Sequence, residues 1–195
     1  MKNLQDEKLM AGMAIEKFLQ KDPTYKSTLG LSGGEVRLVP VTHIVTAKVT
    51  GTNIEFVKSG ITKEVGVKTF NNKALEAGKP LILCAVSAHY AKEATADNKT
   101  VATADYSDVA PAGLVNGELT ISQQGRGNLV DAQFSALINQ NATQNNLDQE
   151  FDIADMPIIK SETEIDIVGK LPEAIATAGN DDFVRIALRG YTIQA

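Results

Sequence analysis

Apolar residues recur at helical spacing near the start of the chain. Leu9, Met10, Met13, Ile15, Phe18 and Leu19 form a broad stripe, and Gln5, Asp6, Glu7, Lys8, Glu16 and Lys17 are the polar remainder. The spacing predicts a helix over residues 3–20. Asp22-Pro23 ends it, because the residue before a proline is pushed out of the helical region. Lys26 to Gly34, with Gly30, Gly33 and Gly34, reads as a flexible connection. Residues 1–34 are thus expected to form a helical arm and its connection, packed on the chain's own domain or docked on a neighbouring subunit.

From Glu35 onward the pattern changes to strand periodicity, and residues 35–195 are expected to form one β-sandwich domain. Glu35 to Val49 is rich in Val, Ile and Thr, but its alternation slips at Pro40, which predicts a bulge or a break into two strands. Asn53 to Lys58 reads as a short strand after Gly51, and Gly60 turns into Ile61 to Thr69. Pro80 to Ala88 is continuously apolar and of strand length, which predicts burial on both faces. Ala91 to Pro111 is weakly patterned and reads as a long surface excursion.

Leu114 to Ile121, centred on Asn116-Gly117, predicts a tight hairpin, because Asn-Gly supplies two positive-φ positions. Gly125-Arg126-Gly127 breaks the second strand, and Asn128 is expected to cap one short internal helix carrying Val130, Phe134, Leu137 and Ile138. The amide-rich Asn139 to Gln149 reads as exposed loop. Two strands close the chain. Thr163, Ile165 and Ile167 alternate with Glu162, Glu164 and Asp166; Val184, Ile186 and Leu188 alternate with Arg185, Ala187 and Arg189. An antiparallel pair of these two strands would set an acidic face beside a basic one.

Composition narrows the classes of function. The chain has 195 residues with 19 Lys and Arg against 24 Asp and Glu, a net charge of −5, so no specific nucleic-acid binding is expected. No apolar run approaches the roughly 20 residues of a membrane-spanning helix, and the start lacks the apolar core of a signal peptide. Cys84 is the single cysteine, which fits a reducing compartment. Asn98-Lys99-Thr100 and Asn141-Ala142-Thr143 then read as chance glycosylation triplets.

Candidate chemistry is sparse. Cys84 and His89 are expected on opposite strand faces, with no further pair at metal-ligand spacing. A Cys84–His43 dyad needs an accessible thiolate, yet Cys84 sits among Leu81, Ile82, Leu83, Ala85 and Val86. No Gly-x-Ser-x-Gly elbow occurs. Gly30-Leu31-Ser32-Gly33-Gly34 lacks the Lys-Ser/Thr ending of a phosphate loop, and Gly125-Arg126-Gly127 reads as a turn, with Arg126 as a secondary candidate for contact with a partner or a phosphate. Glu162, Glu164, Asp166 and Asp181-Asp182 offer carboxylates, but without Trp they lack the platforms that sugars need. Asp148, Glu150, Asp152 and Asp155 miss the glycine and terminal Glu of a calcium loop. No catalytic, cofactor-binding or metal residue is expected, and no cofactor.

The closing segments, Met156 to Ile167 and then Asp182-Phe183-Val184-Arg185-Ile186-Ala187-Leu188-Arg189-Gly190-Tyr191, resemble the ends of small capsid proteins of tailless bacteriophages. The resemblance covers about the last third of the chain in detail. It implies a mainly β, jelly-roll-like antiparallel sandwich and no catalytic residues. The resulting expectation is a non-enzymatic virion protein, a capsid or capsid-associated subunit, assembled in the host cytoplasm. Its partners would be copies of itself and other virion proteins, met through the β domain, its loops and the N-terminal arm. The alternative is a ligand- or partner-binding β-sandwich module, such as a phage tail, adaptor or attachment protein.

Overall fold

The computed structural model describes residues 4–29, 31, 37–138, 150–175 and 178–194. Two helices come first, α1 (Leu4–Lys21) and α2 (Pro23–Thr28). Among the described residues nine strands follow: β1 (Arg37–Lys48), β2 (Asn53–Glu55), β3 (Leu81–Ala94), β4 (Glu118–Gln123), β5 (Gly127–Gln133), β6 (Phe151–Asp152), β7 (Ile158–Ile159), β8 (Ile165–Lys170) and β9 (Asn180–Gln194). Two single-turn helices, α3 (Ala112–Val115) and α4 (Phe134–Leu137), flank the β4–β5 hairpin.

Every pair formed between these nine strands is antiparallel. The first sheet runs β1-β9-β3-β6, with β7 also on β3, and the second runs β2-β8-β4-β5. Taking β6 and β7 as two pieces of one position beside β3, successive strands cross between the sheets, except at the β4–β5 pair within the second, in the interleaved order of a jelly roll. The core lies between the sheets. Leu83, Val86, Ile186 and Leu188 of the first sheet meet Leu119, Ile121, Ile165 and Ile167 of the second, all at most 1% exposed.

Several local expectations change. Pro40 breaks nothing: β1 pairs with β9 in unbroken register from Arg37↔Gln194 to Lys48↔Phe183. The reason is its place on an edge strand. Ile44, four residues on, turns its N–H and carbonyl away from β9 to Thr69, so by strand parity the missing N–H of Pro40 points off the sheet. The slip in alternation reflects covering on both sides, since Leu38 faces the helices while Val41 and Val45 face the sandwich. Residues 61–69 form turns and isolated bridges along that edge instead of a strand. Lys26 to Thr28, expected in the flexible connection, close α2. Gly30 and residues 32–34 of that connection, and all of Asn139 to Gln149, lie outside the described residues.

Asn116-Gly117 makes no hairpin. Asn116 ends α3 at φ −83°, and Gly117 leads into β4. Glycine serves close approach there: a Cβ would lie 2.7 Å from the Lys170 carbonyl oxygen and from Leu171 Cδ2. The true hairpin is β4–β5, turned by Gly125 and Gly127 at φ +77° and +74°. Asn128 to Gln133 continue as strand, and the helix shrinks to α4. Ala91 to Ala94 belong to β3, and Tyr106 is buried, so only part of the Ala91–Pro111 excursion is loop.

The two closing strands do not pair. β8 belongs to the second sheet and β9 to the first, where it lies between β1 and β3. Their apolar faces meet through the core. Asp166 of β8, with Glu164 just before the strand, and Arg185 and Arg189 of β9 therefore point away from each other. Burying both aliphatic rows face to face contributes more than the cross-strand charge pairs that edge pairing would supply, at about 0.2–1 kcal/mol each.

Candidate functional site

The outer face of the first sheet carries a second layer, α1 and α2. Ala11 and Ile15 pack on Ile82, Cys84, Tyr191 and Ile193, with Tyr25, Leu29 and Met156 closing the patch. Glu7 sits one turn before Ala11 on the same helix face and is only 3% exposed. Its carboxylate accepts from Arg189 Nη1 at 2.6 Å and Nη2 at 3.1 Å, and Arg189 Nε donates to Glu150. The hydrogen bonds that the guanidinium donates to Glu7, then to Glu150, raise its pKa and hold it charged. Burial pushes the neighbouring Tyr191 hydroxyl upward, reinforced by the Glu7 charge.

The far end of this layer is pinned separately. Asp22 caps α2 by accepting from the Tyr25 N–H at 3.2 Å, and Lys160 donates to it at 2.6 Å. These contacts, led by Lys160, hold the Asp22 carboxyl down at about 2. The Tyr25 hydroxyl accepts from the Ser161 N–H at 2.8 Å.

What the sheet does not cover faces outward. Leu9, Met10 and Met13 are 66%, 49% and 63% exposed, a ridge of large apolar side chains opposite the buried face of α1. Beside it a groove of about 670 Å³ runs between α1 and the start of β1, lined by Lys8, Leu9, Gly12, Met13, Arg37 and Leu38. Beyond the arm, Arg185 spreads over the Tyr106 ring at 3.8 Å and ties the 95–111 segment to the same outer face.

The residues weighed for chemistry scatter. β3 bulges between Leu83 and Ala85. That extra residue puts Cys84 and His89 on the same outer face instead of opposite ones, with Cys84 sealed under α1 and His89 next to Ser87 at 3.3 Å. His43 is on the inner face of β1, so the sheet separates it from Cys84. There Nδ1 meets the Thr69 hydroxyl at 2.9 Å and the ring stands edge-on to Phe70. Burial lowers the pKa of both histidines. Arg126 is used internally, donating to the Ile158 carbonyl and lying over Phe18 at 5.1 Å. Asp166 pairs with Lys73 and Asp181 with Lys48, on different sheets. Asp148 lies outside the described residues, and Glu150 is taken by Arg189. Among the described residues no group of three His, Cys, Asp or Glu is placed to hold a metal.

Sequence reasoning missed three polar features. Glu7 counted among the polar positions of the helix, yet it lies one and two turns before Ala11 and Ile15 on the buried face; that four-residue spacing is the signal that could have found it. The Tyr90 hydroxyl donates to Asp182 inside the core, an unusual burial that raises the tyrosine pKa, chiefly by desolvation. A cavity of about 260 Å³ beside His43, Phe70, Lys63 and Lys79 is also lined by Thr192, whose hydroxyl is buried without a partner among the described residues. Neither of these last two has a signal in local sequence, because each joins residues far apart in the chain.

The fold and outer layer together describe a jelly-roll β-sandwich with an appended helical layer and an exposed apolar ridge. No protein-family model matches this chain, and neither a curated protein nor a solved structure matches it significantly.

Proposed function

We propose that this chain is a non-enzymatic structural subunit of a virion, a capsid or capsid-associated protein that assembles with copies of itself and with other virion proteins. The observation that carries the proposal is the ridge of Leu9, Met10 and Met13, held outward on a helix anchored to the sheet through Glu7 and Arg189. Large exposed apolar side chains grouped on one rigid element mark a contact surface. Two features support the reading. The jelly-roll strand order recurs in viral capsid domains, as it does in lectins and cupins. The residues weighed for catalysis lie apart, on opposite faces or different sheets. Assembly would take place in the host cytoplasm.

Light scattering coupled to size-exclusion chromatography, with cryo-electron microscopy of the same fractions, tests the proposal. Hexamers or large closed particles are the expected result. A stable monomer or trimer contradicts it and favours the second reading, a partner- or ligand-binding module such as a tail, adaptor or attachment protein. The cavity beside His43 is the observation on that side.

A further inference from the structure

We infer that two copies of this chain meet through α1, antiparallel about a two-fold axis crossing the helix between Ala11 and Gly12. The inference rests on the self-assembly reading above and specifies one of its contacts. Asp6, Met10, Met13 and Lys17 follow one another at four-, three- and four-residue steps, so they line a single narrow seam of the helix, and all four are exposed. An antiparallel copy laid along that seam sets Met10 against Met13 of the second copy, and Met13 against its Met10. The same rotation sets Asp6 against Lys17 of the second copy, and Lys17 against its Asp6. The seam is therefore complementary to itself: an apolar centre with opposite charges at its ends, as a two-fold contact requires.

Charge also selects this register over its neighbour. Sliding the copies so that Leu9 faces Met13 would set Asp6 against Glu16 twice, like charge on like charge. Asp6 and Lys17 have no ion pair or hydrogen bond among the described residues, so both are available for a second molecule. The buried side of the helix is already committed to the sheet through Glu7, Ala11 and Ile15, which fixes the seam's direction outward.

The test is a charge exchange between molecules. Full-length wild type, D6K and K17D are compared by sedimentation at low ionic strength, where surface charge is least screened. Each single reversal is expected to weaken self-association about tenfold, because it creates two repulsive contacts per axis. An equimolar mixture of D6K and K17D restores complementary pairs between unlike molecules and is expected to return association to within about twofold of wild type. Far-UV circular dichroism checks that each variant keeps its helix; a purely structural defect has no way to be repaired by mixing. Reversals that leave association unchanged overturn the contact, as does a mixture no stronger than either variant alone. A wild type that stays monomeric at about millimolar concentration removes the self-assembly reading as well. An assembling wild type with silent reversals removes only this contact.

Discussion

The two faces of the first sheet are built on different chemistry. Inward, Leu83, Val86, Ile186 and Leu188 meet the second sheet in a continuous aliphatic core. Outward, a smaller apolar patch around Ile82, Cys84 and Ile193 is framed by Glu7–Arg189–Glu150, Asp22–Lys160 and Arg185–Tyr106. The bulge in β3 is the structural hinge between these regimes. It reverses which residues face in, and it explains Gly190, whose Cβ would sit on the Ile82 carbonyl oxygen beside the bulge. The difference teaches that the sandwich is held by bulk burial, while the helical layer is attached by a modest patch and a few charged clasps. A layer attached that way is suited to present a surface.

The largest effect expected of a single substitution is on the inner side. Phe134 is fully buried against the core, with the Gly169 backbone close under its ring. Phe134→Ala should cost about 3–5 kcal/mol in urea unfolding. A much smaller cost would mean the sandwich is not the dominant core. On the outer side, Arg189→Ala leaves the Glu7 carboxylate buried without its partner. A loss of about 2–3 kcal/mol is expected, below the fully buried case because Arg189 keeps 28% of its side-chain surface. Hydrogen exchange should show that loss concentrated in α1, with β3 and β9 little changed.

Glycines sharpen the contrast further. Gly117→Ala should destabilise by about 1–3 kcal/mol through its clash with Lys170 and Leu171. Gly125→Ala, in open space at positive φ, should cost about 1 kcal/mol. Equal costs would deny that Gly117 is there for close approach. The smallest effect is the pH response of the Asp22 clasp. The folded-state carboxyl titrates at about 2 against an ordinary value of 3.8. Its contribution is thus complete above the ordinary value and disappears as pH falls from there through about 2. Lys160→Gln should move the Asp22 titration upward, as read by carboxyl chemical shifts.

Periodicity made the helix, the central apolar strand and the alternating closing strands legible, because each is written in local spacing. The helix runs over Leu4–Lys21, and β3 is buried from Leu81 through Ala88 as the continuous run implied. Pairing was not legible. β8 and β9 carry matching charge patterns yet sit in different sheets, since burial of Ile165 and Ile186 outweighs any exchange of Glu164 and Arg185 across an edge. Asn116-Gly117 misled for a related reason: the dipeptide permits a tight turn, but packing of Leu171 against Gly117 decides the geometry. The outer clasp was not legible: Glu7 counted among the polar positions while three residues of the apolar stripe, Leu9, Met10 and Met13, face outward, and its partner Arg189 is 182 residues away.

Native-state hydrogen exchange across a urea series tests the division most directly. Amides of α1 should exchange by a partial opening at low urea, while those of Leu83 in β3 and Ile186 in β9 exchange only with global unfolding. Exchange of α1 that merges with β3 and β9 at every urea concentration would contradict the account, because the helical layer would then be part of the same cooperative core.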